Sequence, residues 1–248
     1  MFTLTGPNHI DANTAVHRLT ETRKTDLAAL RRRLSDALTA AHTFRDPDLT
    51  DEANNRRRAD MARAAREQAA ADLDRIEAQA NQAAALVRAV ADKTTARPAG
   101  GAAEQLLAET RQARAWDRAR ALLDAGRTTQ DVIEGADLDT LHALRTELPT
   151  YLAAQHTKPQ GLAGAEFTEP DPARVVHTVE RALADRLPAE QGAALRARLN
   201  LDALEPGLRE TLAGLRREVD GTADASNALR SAVAARIADQ QAAPHPAA

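Results

Sequence analysis

Apolar positions recur at helical intervals from the start of the chain. Val16, Leu19, Leu27, Leu30, Leu34, Leu38 and Ala41 predict a helix that opens near Asp11 or Asn13 and runs to about Thr43, with Arg23 interrupting the stripe once. The segment Phe44-Arg45-Asp46-Pro47-Asp48-Leu49-Thr50 then breaks it. Proline bars continuation, and Asp48 or Thr50 can cap a new helix whose first turn holds Asp51 and Glu52. That second helix is predicted from about Asp51 to Thr94. Within it Ala69, Leu73, Ile76, Ala80, Ala83, Val87 and Val90 step by fours and threes, a heptad seam with small knobs. About 45 helical residues rise ~1.5 Å each, giving a rod of roughly 70 Å. A short connection favours antiparallel neighbours, so residues 12 to 95 read as an elongated helical hairpin or coiled coil. Alanine at half the seam lets backbones approach but buries little apolar area, at roughly 25 cal/mol per Å². Such a hairpin is expected to need a partner.

Arg97-Pro98-Ala99-Gly100-Gly101 marks a linker and a domain boundary. The resulting plan is a hairpin over 1–96, a Pro/Gly joint at 97–101, a small helical segment over 102–157, a loop at 158–170, a helical region over 171–241 and a flexible tail at 242–248. Helices are expected over 102–125 (ended by Gly126), 129–134, 138–148 and, after Pro149, 150–157. Asp171-Pro172 opens the next, with Val175, Val176, Val179 and Leu183 on one side. Pro188 and Pro206 are read as starting two more, whose stripes are Leu195 and Leu199, then Leu208, Leu212, Leu215 and Val219. The last helix is expected over 223–241.

Composition sharpens this to an all-α protein. Ala fills 58 positions and Arg 30, both good helix formers, while the β-branched and aromatic residues of sheets are scarce. Leu, Ile, Val and Phe together make up only about 18% of the chain, a level typical of disorder, but the net charge is only -3, which argues against it. Five aromatic residues leave little bulk for a deep core, so a large compact enzyme is not expected. With no Cys there is no disulfide framework, thiolate metal site or cysteine nucleophile, and a cytoplasmic or virion-associated setting fits. No stretch of apolar residues is long enough to span a bilayer, and no membrane role is expected.

Nothing in the motifs argues for catalysis, and no cofactor is implied. The seven His residues form no H-x-x-x-H or H-E-x-x-H pair, and no glycine-rich phosphate cradle occurs. Asp139 and His142, three apart, read as a solvated helix face. Residues 23 to 66 hold eleven basic and seven acidic side chains. If the hairpin turns near Pro47, Arg31, Arg32 and Arg33 come level with residues 60 to 62, within about a turn of Arg56, Arg57 and Arg58. This arginine collar could take an anion, an acidic surface or a nucleic-acid backbone; the simpler alternative is a solubilising face. Residues 129–141 have the cadence of a helix-turn-helix, but Arg145 is the only cation behind the turn, which favours two packed helices. Trp116, among Arg111, Arg114, Arg118 and Arg120, either stacks on an arginine, anchors a partner or lies in the core.

Two segments resemble uncharacterised helical proteins encoded among the head and structural genes of actinobacterial phages and prophages. One is the turn and helix start from Phe44 to Ala53; the other is Thr140-Leu141-His142-Ala143-Leu144-Arg145-Thr146-Glu147-Leu148-Pro149-Thr150-Tyr151-Leu152. The resemblance covers about a tenth of the chain and implies a scaffolding or virion-assembly role with a capsid or other structural protein as partner. The C-terminus departs from it: a scaffold commonly ends in a basic segment, and here Arg230 and Arg236 stand against Asp224 and Asp239. The expected function is a non-enzymatic assembly protein that forms homo-oligomers along Leu27, Leu30, Leu34, Leu38, Leu73, Ile76, Val87 and Val90. The alternative is a nucleic-acid-associated protein using the arginine collar.

Overall fold

The computed structural model describes residues 9–95, 101–156 and 172–222. Among these, all regular structure is helical: α1 (His9–Glu21), a π-helical turn (Thr22–Asp26), α2 (Leu27–Thr43), α3 (Asp51–Thr95), α4 (Ala102–Asp124), α5 (Thr129–Gly135), α6 (Leu138–His156), α7 (Pro172–Arg186) and α8 (Ala189–Val219). The expected linker at 97–101, apart from Gly101, the loop at 158–170, the helix at 223–241 and the tail at 242–248 lie outside the described residues. The chain divides into two units, neither continuous in sequence. Of the described residues, one contains Ile10–Ala89 and the stretch from Asn200 to Thr222; the other contains His9 together with Val90–Leu199. The division does not follow the sequence-based plan, because α3 and α8 each contribute to both units.

In the first unit the interruption at Arg23 has a structural answer. Ala12, Ala15, Leu19 and Thr22 are buried, and the next buried position is Leu27 rather than Asp26. The Leu27 N–H bonds the Thr22 carbonyl five residues back, the i→i+5 pattern of a π-helical turn. The extra residue in that turn keeps Asp26 off the core side and lets α2 resume its stripe at Leu27, Leu30, Leu34 and Ala41.

The loop between α2 and α3 is held by Asn54, which is only 2% exposed. Its Oδ1 accepts the Asp46 N–H at 2.8 Å, and its Nδ2 donates towards the carbonyls of Asp46 (2.9 Å), Leu49 (3.1 Å) and Thr50 (3.3 Å). Thr50 supplies the N-cap, accepting the Ala53 N–H at 3.2 Å. Asn54 therefore folds the loop back along the first turn of α3, and Arg33 meets Asp72 at 3.6 Å rather than a residue near 61. That offset of eleven residues is roughly 16 Å along the helix.

The helix that covers this hairpin is the second half of α8. Leu201, Leu208 and Leu215 recur every seven residues and are buried. Ion pairs fix the register: Arg88 to Glu205 at 2.7 Å, Arg216 to Asp74 at 2.6 Å and to Glu77 at 3.0 Å, and Arg31 to Glu218 at 2.9 Å. Positions 205 and 216 on α8 and 88 and 77 on α3 are separated by the same eleven residues in opposite directions, so the two helices run antiparallel.

Two proline expectations are corrected. Pro206 does not start a helix: α8 is continuous from Ala189 to Val219 with Pro206 inside it, and α6 likewise passes through Pro149. Each proline forfeits a backbone hydrogen bond, but apolar side chains continue in phase on both sides. Leu201 and Leu208 flank Pro206; Leu144, Leu148, Tyr151 and Leu152 flank Pro149. Tertiary burial outweighs the local cost. At Gly207 the missing side chain admits Arg23, whose guanidinium lies 2.6–2.8 Å from where a Cβ would be.

The second unit is built around Val132, Ile133, Leu141, Leu144, Leu148, Val179, Leu183 and Leu195, from α5 to α8. Trp116 and Tyr151 pack against it in an edge-to-face pair, centroids 5.7 Å apart, so the tryptophan is part of the core margin. The Tyr151 hydroxyl donates to Asp124 at 2.7 Å; burial and that carboxylate both raise its pKa. Thr128 caps α5, accepting the Asp131 N–H at 3.1 Å. Arg186 closes the other end by donating to the carbonyls of Glu134 (2.8 Å) and Ala136. With α5 and α6 in one core, the helix-turn-helix cadence is that of two packed helices.

Candidate functional site

Helix α4 belongs to the second unit and is well terminated. At its start the Glu104 carboxylate accepts the Gly101 N–H at 3.2 Å. At its end Arg127 donates to the Leu122 carbonyl and Gly126 to that of Leu123, both at 3.0 Å. Gly126, at φ 86°, supplies the left-handed residue this closure needs. Between these ends α4 presents three faces.

The first is buried: Ala115 and Ala119 contact the core, with Trp116 and Leu123 beside them. The second carries Ala103, Leu106, Thr110 and Ala113, all exposed; Leu106 is 65% exposed. The third carries Leu107, Arg111, Arg114, Arg118 and Leu122 at steps of four and three, also exposed, with Leu107 at 52% and Leu122 at 48%. At about 100° per residue these five side chains share an arc of roughly 80°. Arg111 and Arg114 form no ion pair among the described residues. Asp137 caps α6, and its carboxyl is held below the usual range, first by hydrogen bonds from Thr140 and then by the Arg118 charge. The arginines around Trp116 are visible in the sequence. Their three- and four-residue spacing, which places three of them on a face the tryptophan does not share, is the signal that identifies this strip.

The sequence-predicted residues are placed differently. Of the self-association seam, Leu27, Leu30, Leu34, Leu73 and Val87 are buried within the first unit, and Val90 within the second; Leu38 and Ile76 are half-buried. Six of the eight seam residues are thus buried within a single copy, and the seam is not a free surface. The arginine collar does not assemble. Arg31 is paired with Glu218 and Arg33 with Asp72, while Arg56 is paired with Glu52 at 2.5 Å. Asp72 lies fifteen residues along α3 from Arg57, roughly 22 Å, which separates the triplets. Arg32 and Arg57 are exposed; Arg58 is half-buried, its Nε enclosed without a hydrogen-bond partner.

His142 lines an open recess of about 330 Å³ with Gln112, Arg145 and Thr146. Arg145 is engaged by Glu180 at 2.9 Å, and Gln112 donates to Thr146 at 3.2 Å, so the recess reads as a structural junction of α4, α6 and α7. Among the described residues no cluster of three or more His, Asp or Glu is placed to hold a metal ion, and no helix is long and apolar enough to cross a membrane. Compared with protein-family models, curated proteins and solved structures, the chain matches none.

Proposed function

We propose that the chain is a non-enzymatic assembly protein of the kind encoded in phage and prophage head modules, and that it associates with itself through α4. The observation that carries this reading is Leu106. In the same unit Leu141, Leu144, Leu148, Leu183 and Leu195 are fully buried, yet Leu106 stands 65% exposed among residues no larger than threonine. A flat face of small residues around one large apolar side chain lets two helices approach closely, and burying a leucine contributes about 1.5–3 kcal/mol. The homo-oligomer first expected along the hairpin seam moves to this face, because most of the seam is already buried within one copy. The separation of the arginine triplets counts against nucleic-acid binding by a collar. The short resemblances at 44–53 and 140–152 support the head-module setting, and with it a cytoplasmic or virion-associated location.

Sedimentation velocity over a micromolar concentration series tests the reading. The wild-type chain is expected to form dimers or larger species that Leu106→Glu returns to monomer. A wild-type chain that stays monomeric throughout, or association that Leu106→Glu leaves unchanged, would refute it.

A further inference from the structure

We infer that the strip Leu107–Arg111–Arg114–Arg118–Leu122 is a docking surface for an acidic amphipathic helix of a different protein. The strip lies about 100° around α4 from Leu106 and does not depend on self-association through that residue.

Three observations select the partner. First, the cations. In a chain of net charge -3, the arginines at 31, 33, 56, 75, 88, 145, 196 and 216 all have carboxylate partners within the chain. Arg111 and Arg114, like the exposed Arg32 and Arg57, have none among the described residues, and these two stand on one exposed face of α4 between two exposed leucines. Second, the ends. Leu107 and Leu122 bracket the three arginines fifteen residues apart, roughly 22 Å of helix. A helix laid along α4, with apolar residues near its ends and Asp or Glu at three- and four-residue steps between them, covers both leucines and gives each guanidinium a carboxylate fork. Third, the boundary. Glu104 at the start of α4 flanks the strip with negative charge.

These features count against the other occupants. A second copy meeting the same strip would bring six guanidinium groups together, and like-charge juxtaposition is strongly unfavourable. A phosphate backbone continuing past the start of the strip would meet Glu104 and leave both leucines facing charge. A short helix with its acidic residues confined to the middle avoids both penalties.

The test uses the full chain and a labelled synthetic helix carrying three glutamates between two terminal leucines, read by fluorescence anisotropy. The wild-type chain is expected to bind. Arg111→Glu with Arg114→Glu should weaken binding roughly tenfold or more, the loss of two charge-assisted contacts. The same peptide with its glutamates replaced by lysine should bind the double variant and not the wild type, which separates charge pairing from misfolding. Leu106→Glu should leave peptide binding unchanged, so failure of self-association and failure of this proposal are read separately. Three results would overturn it: no binding of the acidic peptide, equal affinity for both peptides, or tighter binding of a DNA duplex whose affinity falls steeply with salt.

Discussion

Asn54 fixes how the hairpin closes, and its replacement offers the sharpest test of the first unit. The side chain has one acceptor and two donor hydrogens, directed at one N–H and three carbonyls of the 46–50 loop at 2.8–3.3 Å. Two hydrogens shared among three carbonyls amount to about two full bonds, so Asn54 contributes three in all. At a net ~1 kcal/mol each, and with loop carbonyls that partly regain water, Asn54→Ala is expected to cost about 2–3 kcal/mol. Asn54→Asp keeps the shape and the bond from the Asp46 N–H. Its second oxygen then faces three carbonyl oxygens without a proton, so at neutral pH it should be at least as damaging as alanine.

The pH dependence follows from that geometry. Carbonyl repulsion raises the folded-state pKa of an aspartate at position 54 above its ordinary ~3.9. Its destabilisation is then complete at pH values above that raised pKa and fades as pH falls towards the unfolded value, where the protonated carboxyl can donate. The aspartate variant should therefore recover relative to the alanine variant between neutral and mildly acidic pH. Urea denaturation followed by circular dichroism measures the stabilities, and hydrogen exchange at the Asp46 amide reports the loop itself. Wild-type stability in the aspartate variant at pH 7, or an Asp46 amide equally protected in all three proteins, would refute the reasoning.

Two further outcomes follow from particular contacts. A Cβ at Gly192 would lie 2.3 Å from the Ala184 carbonyl oxygen, a backbone atom, so α7 and α8 would have to separate. Gly192→Ala should cost about 1–3 kcal/mol of overpacking against at most ~1 kcal/mol of helix-propensity gain, a net destabilisation by urea titration; a stabilised variant would disprove the close approach. The Glu205 carboxyl is pushed up by burial but held net below its ordinary value by hydrogen bonds from Arg88 and Arg209. Its contribution is therefore present above the unfolded ~4.3 and lost as pH falls through the folded value. Glu205→Gln should flatten the fall of stability between about pH 5 and 3, and an unchanged acid limb would argue against the Arg88–Glu205 register.

The helical class, the turn at Phe44–Thr50, the start of α3 and the end of α4 at Gly126 were all legible in the sequence, because each rests on local chemistry: periodicity, capping and a left-handed glycine. The failures share one cause. Pro206 reads as a boundary only if its neighbours are judged alone; Leu201, Leu208 and Leu215 keep one heptad phase across it, and that phase matters only once the hairpin is there to receive it. The arginine collar required a symmetric turn, whereas Arg33 meets Asp72, about three helical turns further along α3 than such a turn would place it. The weak alanine seam reads as needing another copy or a partner, whereas a segment of the same chain packs against the hairpin. Nothing local says whether that cover is another copy or a segment over a hundred residues away in the same chain. Finding it within the chain changes which surface carries functional information. Apolar residues already enclosed by α8 mark folding, whereas Leu106, Leu107 and Leu122 remain exposed in a chain with little large apolar material to spare, and it is on α4 that an encounter with another molecule has most to gain.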